Sequence, residues 1–299
     1  MAGTVECVSA PARLGESPLW HPDEQVLYWC DITGRALHRL DPVSGRSDRW
    51  DLETDVGCCV PAVEGGLVLA LCSGFWHFDP ATGKKALIVA APYDPAHERF
   101  NDGKADAAGR VWCGTICDVR EQPLAALHCL QHGKTSRKAD GITISNGLAW
   151  SLDGRTMYWA DSTAHVVYAL EFEVSSGAIS KRRVFSQFRP RVKGEPLSSY
   201  LGAPDGAAVD SLGNYWLAVY GGQRLLQLGP DGALLRDVPL PVRCPTMPCF
   251  GGADLKTLYI TSASDERPAH ELAQQPWAGC VLSMRVDVPG LPANFARLN

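Results

Sequence analysis

The sequence predicts an all-β chain folded as a six-bladed propeller, and three observations carry the prediction. The first is self-similarity. Glu16-Ser17-Pro18-Leu19-Trp20, followed by Tyr28-Trp29-Cys30-Asp31, matches Asn146-Gly147-Leu148-Ala149-Trp150, followed by Tyr158-Trp159-Ala160-Asp161. Asn101, with Asp106, Gly109 and Trp112, matches Asp205 with Asp210, Gly213 and Trp216. Two weaker copies run from Gly57-Cys58-Cys59-Val60-Pro61 and from Met247-Pro248-Cys249-Phe250. The second is that each copy leads into another short apolar run and a Gly-bearing turn such as Pro80-Ala81-Thr82-Gly83, the chemistry of strands joined by tight turns. The third is the period. Successive copies are about 42 to 45 residues apart, with one interval of about 59, the length of a four-stranded propeller blade.

In chain order, the third strands of the blades are expected at Ala36–Asp41, Phe75–Asp79, Ala126–Leu130, Val166–Leu170, Leu225–Leu228 and Val281–Arg285. Val5-Glu6-Cys7-Val8 is expected to add a strand to the last blade and close the ring, making residues 1–299 one domain. The long interval carries an insertion, residues 188–200, whose length and Pro and Gly content suggest a loop. It is expected to lie over the channel mouth, with Tyr200 or Arg191 reaching the site.

Composition narrows the function. The 299 residues are 45% hydrophobic with a net charge of −5. No basic run offers a footprint for nucleic acid, and no apolar stretch is long enough for a membrane helix. Met1-Ala2-Gly3-Thr4-Val5-Glu6 lacks a basic flank leading into an apolar segment. The eleven cysteines contain no Cys-x-x-Cys pair, so reduced thiols in a cytoplasmic protein are expected. The chain is expected to be a monomer or weak homo-oligomer with a small-molecule partner. No Gly-x-Ser-x-Gly occurs, which argues against a serine esterase, and the His-x-x-x-His spacing of His128 and His132 falls on an expected strand and its turn, not on a zinc helix.

The innermost strands of a propeller line its central channel. The residues leading the six copies are Glu16, Cys58 or its neighbour, Asn101, Asn146, Asp205 and Met247 or thereabouts. Four of these bear side-chain oxygens. Convergent carboxylates repel unless a proton or cation intervenes, and two carboxylates with two amides suit a hard divalent ion such as calcium, magnesium or manganese.

Gly15-Glu16-Ser17-Pro18-Leu19-Trp20, Arg99-Phe100-Asn101-Asp102-Gly103-Lys104, Ile144 to Ser151 and Ala203-Pro204-Asp205-Gly206 resemble, in order, the motifs of the SMP-30/gluconolactonase/luciferin-regenerating-enzyme family, and Phe250-Gly251-Gly252 is similar to a further one. The resemblance runs from about Glu6 to about Gly279. It implies a sugar lactonase working around one divalent metal, calcium by preference, with zinc, magnesium, manganese and iron as alternatives. By position, Glu16, Asn146 and Asp205 would hold the metal, and Asp205 would also be the catalytic base. Arg99 and Asn101 would contact substrate, and Asp118, or else Glu121, would be the acidic contact after Gly114-Thr115. Two other readings stand beside this one: the same site acting on a non-sugar ester or organophosphate, and a propeller that binds calcium without catalysis.

Overall fold

A computed structural model of the chain describes residues 3–299. Among them, 24 strands form six four-stranded antiparallel sheets. The architecture is the expected six-bladed propeller. The inner strands are Gly15–His21, Val56–Pro61, Glu98–Ala105, Ser145–Trp150, Ala203–Val209 and Pro245–Gly251, which we number as blades 1 to 6. Burial follows position in the blade. Gly15–His21 is buried throughout, whereas the outer strand Ser47–Asp51 alternates between exposed and half-buried residues. That alternation is the mark of a strand with one face in solvent.

Six apolar clusters hold the ring, one between each pair of neighbouring blades. Leu19, Tyr28 and Leu37 of blade 1 meet Val56, Leu69 and Phe78 of blade 2. Trp20, Leu27 and Trp29 of blade 1 meet Tyr259 and Val281 of blade 6 on the other side. The strand Glu6–Cys7 pairs with Ser283 and Leu282, so the N-terminal segment closes the last blade as expected.

The repeated residues have a structural cause. Asp106 and Asp210, each almost wholly buried, accept from backbone N–H groups of the following turn and from the indole N–H of Trp112 (2.8 Å) or Trp216 (2.9 Å). Asp31 and Asp161 accept from the backbone leading into their own blades, at Arg13 and Leu14 and at Thr143 and Ile144. Each carboxylate thereby clamps a turn or an entry segment against a strand, and its buried charge is satisfied by several N–H donors.

The inner strands carry a register shift near the channel mouth, which in the four blades with oxygen-bearing lead residues takes two forms. In blades 1 and 4, Glu16 and Asn146 are the last paired residues before the bulge, opposite Cys30 and Ala160. The next residues, Ser17 (φ 47°) and Gly147 (φ 66°), take the left-handed conformation. In blades 3 and 5, Phe100 and Pro204 hold the equivalent paired position, and Asn101 and Asp205 fall inside the bulge without a positive φ. The sequence reading treats all lead residues as equivalent. The structure instead divides them into two classes offset by one residue, and the two kinds of bulge re-aim all four toward the same axis.

Candidate active site at the channel axis

The four oxygen-bearing lead residues lie together at the axis, each no more than 6% exposed. Asn101 Nδ2 donates to Asn146 Oδ1 (2.9 Å) and to the Ser145 carbonyl (2.9 Å). Asn146 Nδ2 donates to Ser162 Oγ (2.8 Å), and that hydroxyl donates to the Pro204 carbonyl (2.7 Å), beside Asp205. A chain of hydrogen bonds therefore links blades 3, 4 and 5 and fixes the orientation of the Asn146 amide. Arg99, from the start of the same strand as Asn101, donates through one guanidinium nitrogen to Asn101 Oδ1 and to the Phe100 carbonyl, both at 2.9 Å. Its Nε lies 3.9 Å from Asp55.

Electrostatics at the axis are dominated by crowded carboxylates. Burial, reinforced by the neighbouring charge of Asp102, pushes Glu16 up to about 8; the Ser17 N–H (3.0 Å) and the charges of Arg99 and Lys104 pull the other way. Asp205 is held well above the usual carboxylate range by burial, then by Glu16 and Asp102. Asp102 is itself raised by burial and opposed chiefly by Lys104. Desolvation in turn lowers the Lys104 ammonium.

Asp102 and Lys104 are participants that sequence reasoning quotes within a motif but does not single out. Asp102 Oδ2 accepts from the Leu148 N–H (2.8 Å), while its Oδ1 is buried with no hydrogen-bond partner. Lys104 reaches across two neighbouring blades, donating to the carbonyls of Leu148 (2.9 Å) and Ala207. The only signal for either was position, immediately after Asn101 in a run that enters a buried strand.

Not every expected residue joins the group. Asp118 is exposed and faces His97 at 3.8 Å, and Glu121 is exposed on the same loop. Cys58 and Met247 are at the axis but bring no oxygen: a Cβ on Gly103 would strike Cys58 Sγ, and one on Gly206 would strike Met247. Within the insertion, Tyr200 bonds His165 Nε2 through its hydroxyl (2.6 Å), whereas Arg191 turns back to the Glu195 carbonyl (3.2 Å).

The donor set fits a hard divalent cation. Lys104 offsets Asp102, which leaves Glu16 and Asp205 buried and mutually repelling beside a fixed amide oxygen; a dication would balance those two charges. The set is mixed: among the described residues no three His, Cys, Asp or Glu side chains form a metal-binding group.

Comparison with known proteins agrees with this architecture. Residues 14–264 match the model of the SMP-30/gluconolactonase/LRE-like region. The chain is 41% identical over 292 residues to a 6-deoxy-6-sulfogluconolactonase of Pseudomonas putida, covering 97% of each chain. It is 37% identical to a regucalcin of Danio rerio, covering 96% of each. Among solved structures it is similar to a calcium-binding protein, regucalcin, from Agrobacterium tumefaciens, with a TM-score of 0.92, 25% identity, and coverage of 99% of this chain and 98% of that one.

Proposed function

Because the chain belongs to the SMP-30/gluconolactonase/LRE-like family, we propose that its axial group hydrolyses a small sugar lactone to the sugar acid. In this reading Glu16, Asn146 and Asp205 hold one divalent cation. The observation that carries it is the buried pair Glu16 and Asp205, which among the described residues have no cation within ion-pair distance, beside an oriented amide. The named lactonase relative supports the substrate class.

When bound, the cation supplies Lewis acidity toward the lactone carbonyl oxygen. The chain's own residues do the rest. Asp205 takes a proton from the attacking water and returns it to the ring oxygen as the ester bond breaks. Burial and its anionic neighbours favour its protonated form, which suits it to accept a proton, and a bound cation would act in the opposite sense. Arg99 presents guanidinium donors to the sugar hydroxyls, and Asn101, whose two amide hydrogens go to blade 4, offers the remaining lone pair of its Oδ1 as an acceptor. Asp118, at the exposed end of blade 3, would contact substrate only from the rim.

Calcium is the favoured ion: all the donors are oxygens, and the Agrobacterium neighbour is described as a calcium-binding protein. Magnesium, manganese, zinc and iron are the alternatives for a metal assay to separate. All eleven cysteines are free thiols, which supports a reducing compartment and hence the cytoplasm.

The test is metal analysis of the purified protein, then chelation and add-back of each divalent ion under parallel assays with D-gluconolactone and an aryl ester. The reading expects lactone turnover that is lost on chelation and restored by one ion. Turnover of the aryl ester alone would overturn the substrate, and full activity after chelation would overturn the metal.

A further inference from the structure

The end of the channel away from the mouth holds a cavity of about 380 Å³ that the axial chemistry does not use. Every blade contributes to its wall from the far end of its inner strand, through Trp20, Pro61, Ala105, Trp150, Val209 and Phe250. Gly103 and Lys104 line its axial side, and none of Glu16, Asn101, Asp102, Asn146 or Asp205 lines it. A strap of chain, residues 291–294, completes the wall. One end of the strap is anchored by Gly290, whose N–H donates to the Leu255 carbonyl of blade 6 (2.8 Å). The other is anchored by Ala296 and Arg297, which donate to the carbonyls of Pro61 in blade 2 (2.7 Å) and Gly109 in blade 3 (2.8 Å).

The polar side chains of the wall are already committed. Lys104 gives its ammonium to the Leu148 and Ala207 carbonyls. Ser17 Oγ accepts from the Cys59 N–H (3.1 Å), and Ser151 Oγ donates to Asp153 (2.6 Å). Cys249 Sγ accepts from the backbone N–H of Trp20 (3.2 Å), and the Asn294 amide donates to the Ala105 carbonyl (3.2 Å). The indole nitrogens of Trp20 and Trp150 are buried, so these residues offer an occupant ring surface and no N–H. No carboxylate lines the cavity. Water gains little where it finds no polar partners, and a charged ligand would give up its hydration without compensation. Leu152 and Leu291, which also line the cavity, are exposed, so its opening to solvent has an apolar rim.

We infer that this cavity is a binding site for a small, uncharged aromatic molecule. Its size sets the scale of the ligand. An apolar cavity of about 150 Å³ accepts benzene, and sites for small molecules begin near about 300 Å³, so this one suits a body of roughly ten to fifteen non-hydrogen atoms. Its aromatic walls, Trp20, Trp150 and Phe250 from three different blades, favour a flat ring system over an aliphatic chain. The site is separate from the axial group and stands or falls independently of the lactonase reading.

The probe is indole, an uncharged bicyclic aromatic, with indole-3-acetate as its anionic counterpart, each titrated calorimetrically into the full chain. Indole should bind with a Kd of roughly 0.1 to 1 mM. Indole-3-acetate should bind at least about tenfold more weakly. Chelation of divalent ions and the Asp205→Ala substitution should leave the affinity for indole unchanged. Ala208→Phe, which puts a ring into the cavity from blade 5, should weaken indole binding by about tenfold or more. Ala107→Phe, on the exposed turn after Asp106, fills the cavity from another side and serves if thermal melting shows that the first variant does not fold. No binding by the parent below about 5 mM, equal affinity for the two probes, or parental affinity in a folded cavity-filling variant overturns the inference. So does indole binding that disappears on chelation or in Asp205→Ala, which would put the ligand at the axis.

Discussion

Asp205 and Glu16 pose the sharpest question at the residue scale, because each is buried in surroundings that favour its neutral form. If a cation holds them ionised, removing either carboxylate removes both a ligand and half of the balancing charge. Asp205→Ala and Glu16→Gln should each lower kcat on gluconolactone by roughly 10² to 10³-fold or more while leaving the melting profile cooperative; near-parental turnover by either variant would refute their assignment. A different buried group governs acid stability. His128, 5% exposed and packed edge-on to Phe100 and Tyr93, is pushed down to about 4, by burial first and Arg137 second. Its unfolded value is near 6.5. The unfolded chain therefore binds the proton first, and the stability this residue contributes is intact above about pH 6.5 and drains away as pH falls toward 4. His128→Phe should flatten the loss of urea stability between pH 7.5 and pH 5 by about 2 kcal/mol.

Among the elements, the mouth-end bulges decide where the site is. Gly147 occupies the left-handed position of the blade 4 bulge, and a Cβ there would lie 2.5 Å from the Tyr215 hydroxyl, which bonds the Gly147 carbonyl (2.8 Å). Gly147→Ala should destabilise the fold by about 2 to 3 kcal/mol and should also lower turnover by displacing Asn146, the two effects being read by urea denaturation and by initial rates. Blade 1 accepts the same conformation with Ser17, whose hydroxyl accepts from the Cys59 N–H (3.1 Å). The sequence shows these elements unevenly. The Trp, Tyr and Asp signals match Glu16 with Asn146 and Asn101 with Asp205, and those pairs are the two bulge classes seen in the structure. The one-residue offset between the classes is hidden, since it depends on φ at Ser17 and Gly147 and not on any repeated side chain. The exposure of Asp118 is also hidden in the sequence: its place after Gly114-Thr115 does not show that the strand ends at Cys117, one residue before it.

Over the whole molecule, closure is the property most exposed to perturbation. The last blade owes its outer strand to residues far away in sequence, through Gly3 to Arg285 (3.0 Å), Val8 to Val281 (2.9 Å) and the pairing of Glu6–Cys7. Deleting residues 1–8 should cost about 3 to 5 kcal/mol from lost ladder bonds and uncovered apolar surface, seen as a lower melting temperature. Turnover at low temperature should survive, because the axial residues sit on inner strands that the deletion does not touch. Periodicity made this ring legible from the sequence, down to the N-terminal strand. The reach of Lys104 was not legible, because 44 and 103 positions separate it from the carbonyls of Leu148 and Ala207 and nothing in its motif announces that they meet.

Lys104 has a final consequence. Its ammonium spans from blade 3 to carbonyls of blades 4 and 5 directly beyond Asp102, so it lies like a bar across the channel below the carboxylates. On the proposed reading, a sugar lactone that enters from the mouth would meet that ammonium as a floor beneath the carboxylates. The acid produced would leave by the doorway through which the next substrate arrives, carrying a new negative charge past the Arg99 guanidinium. Entry and exit would then share one corridor, and the same guanidinium that meets an arriving lactone would meet the departing acid.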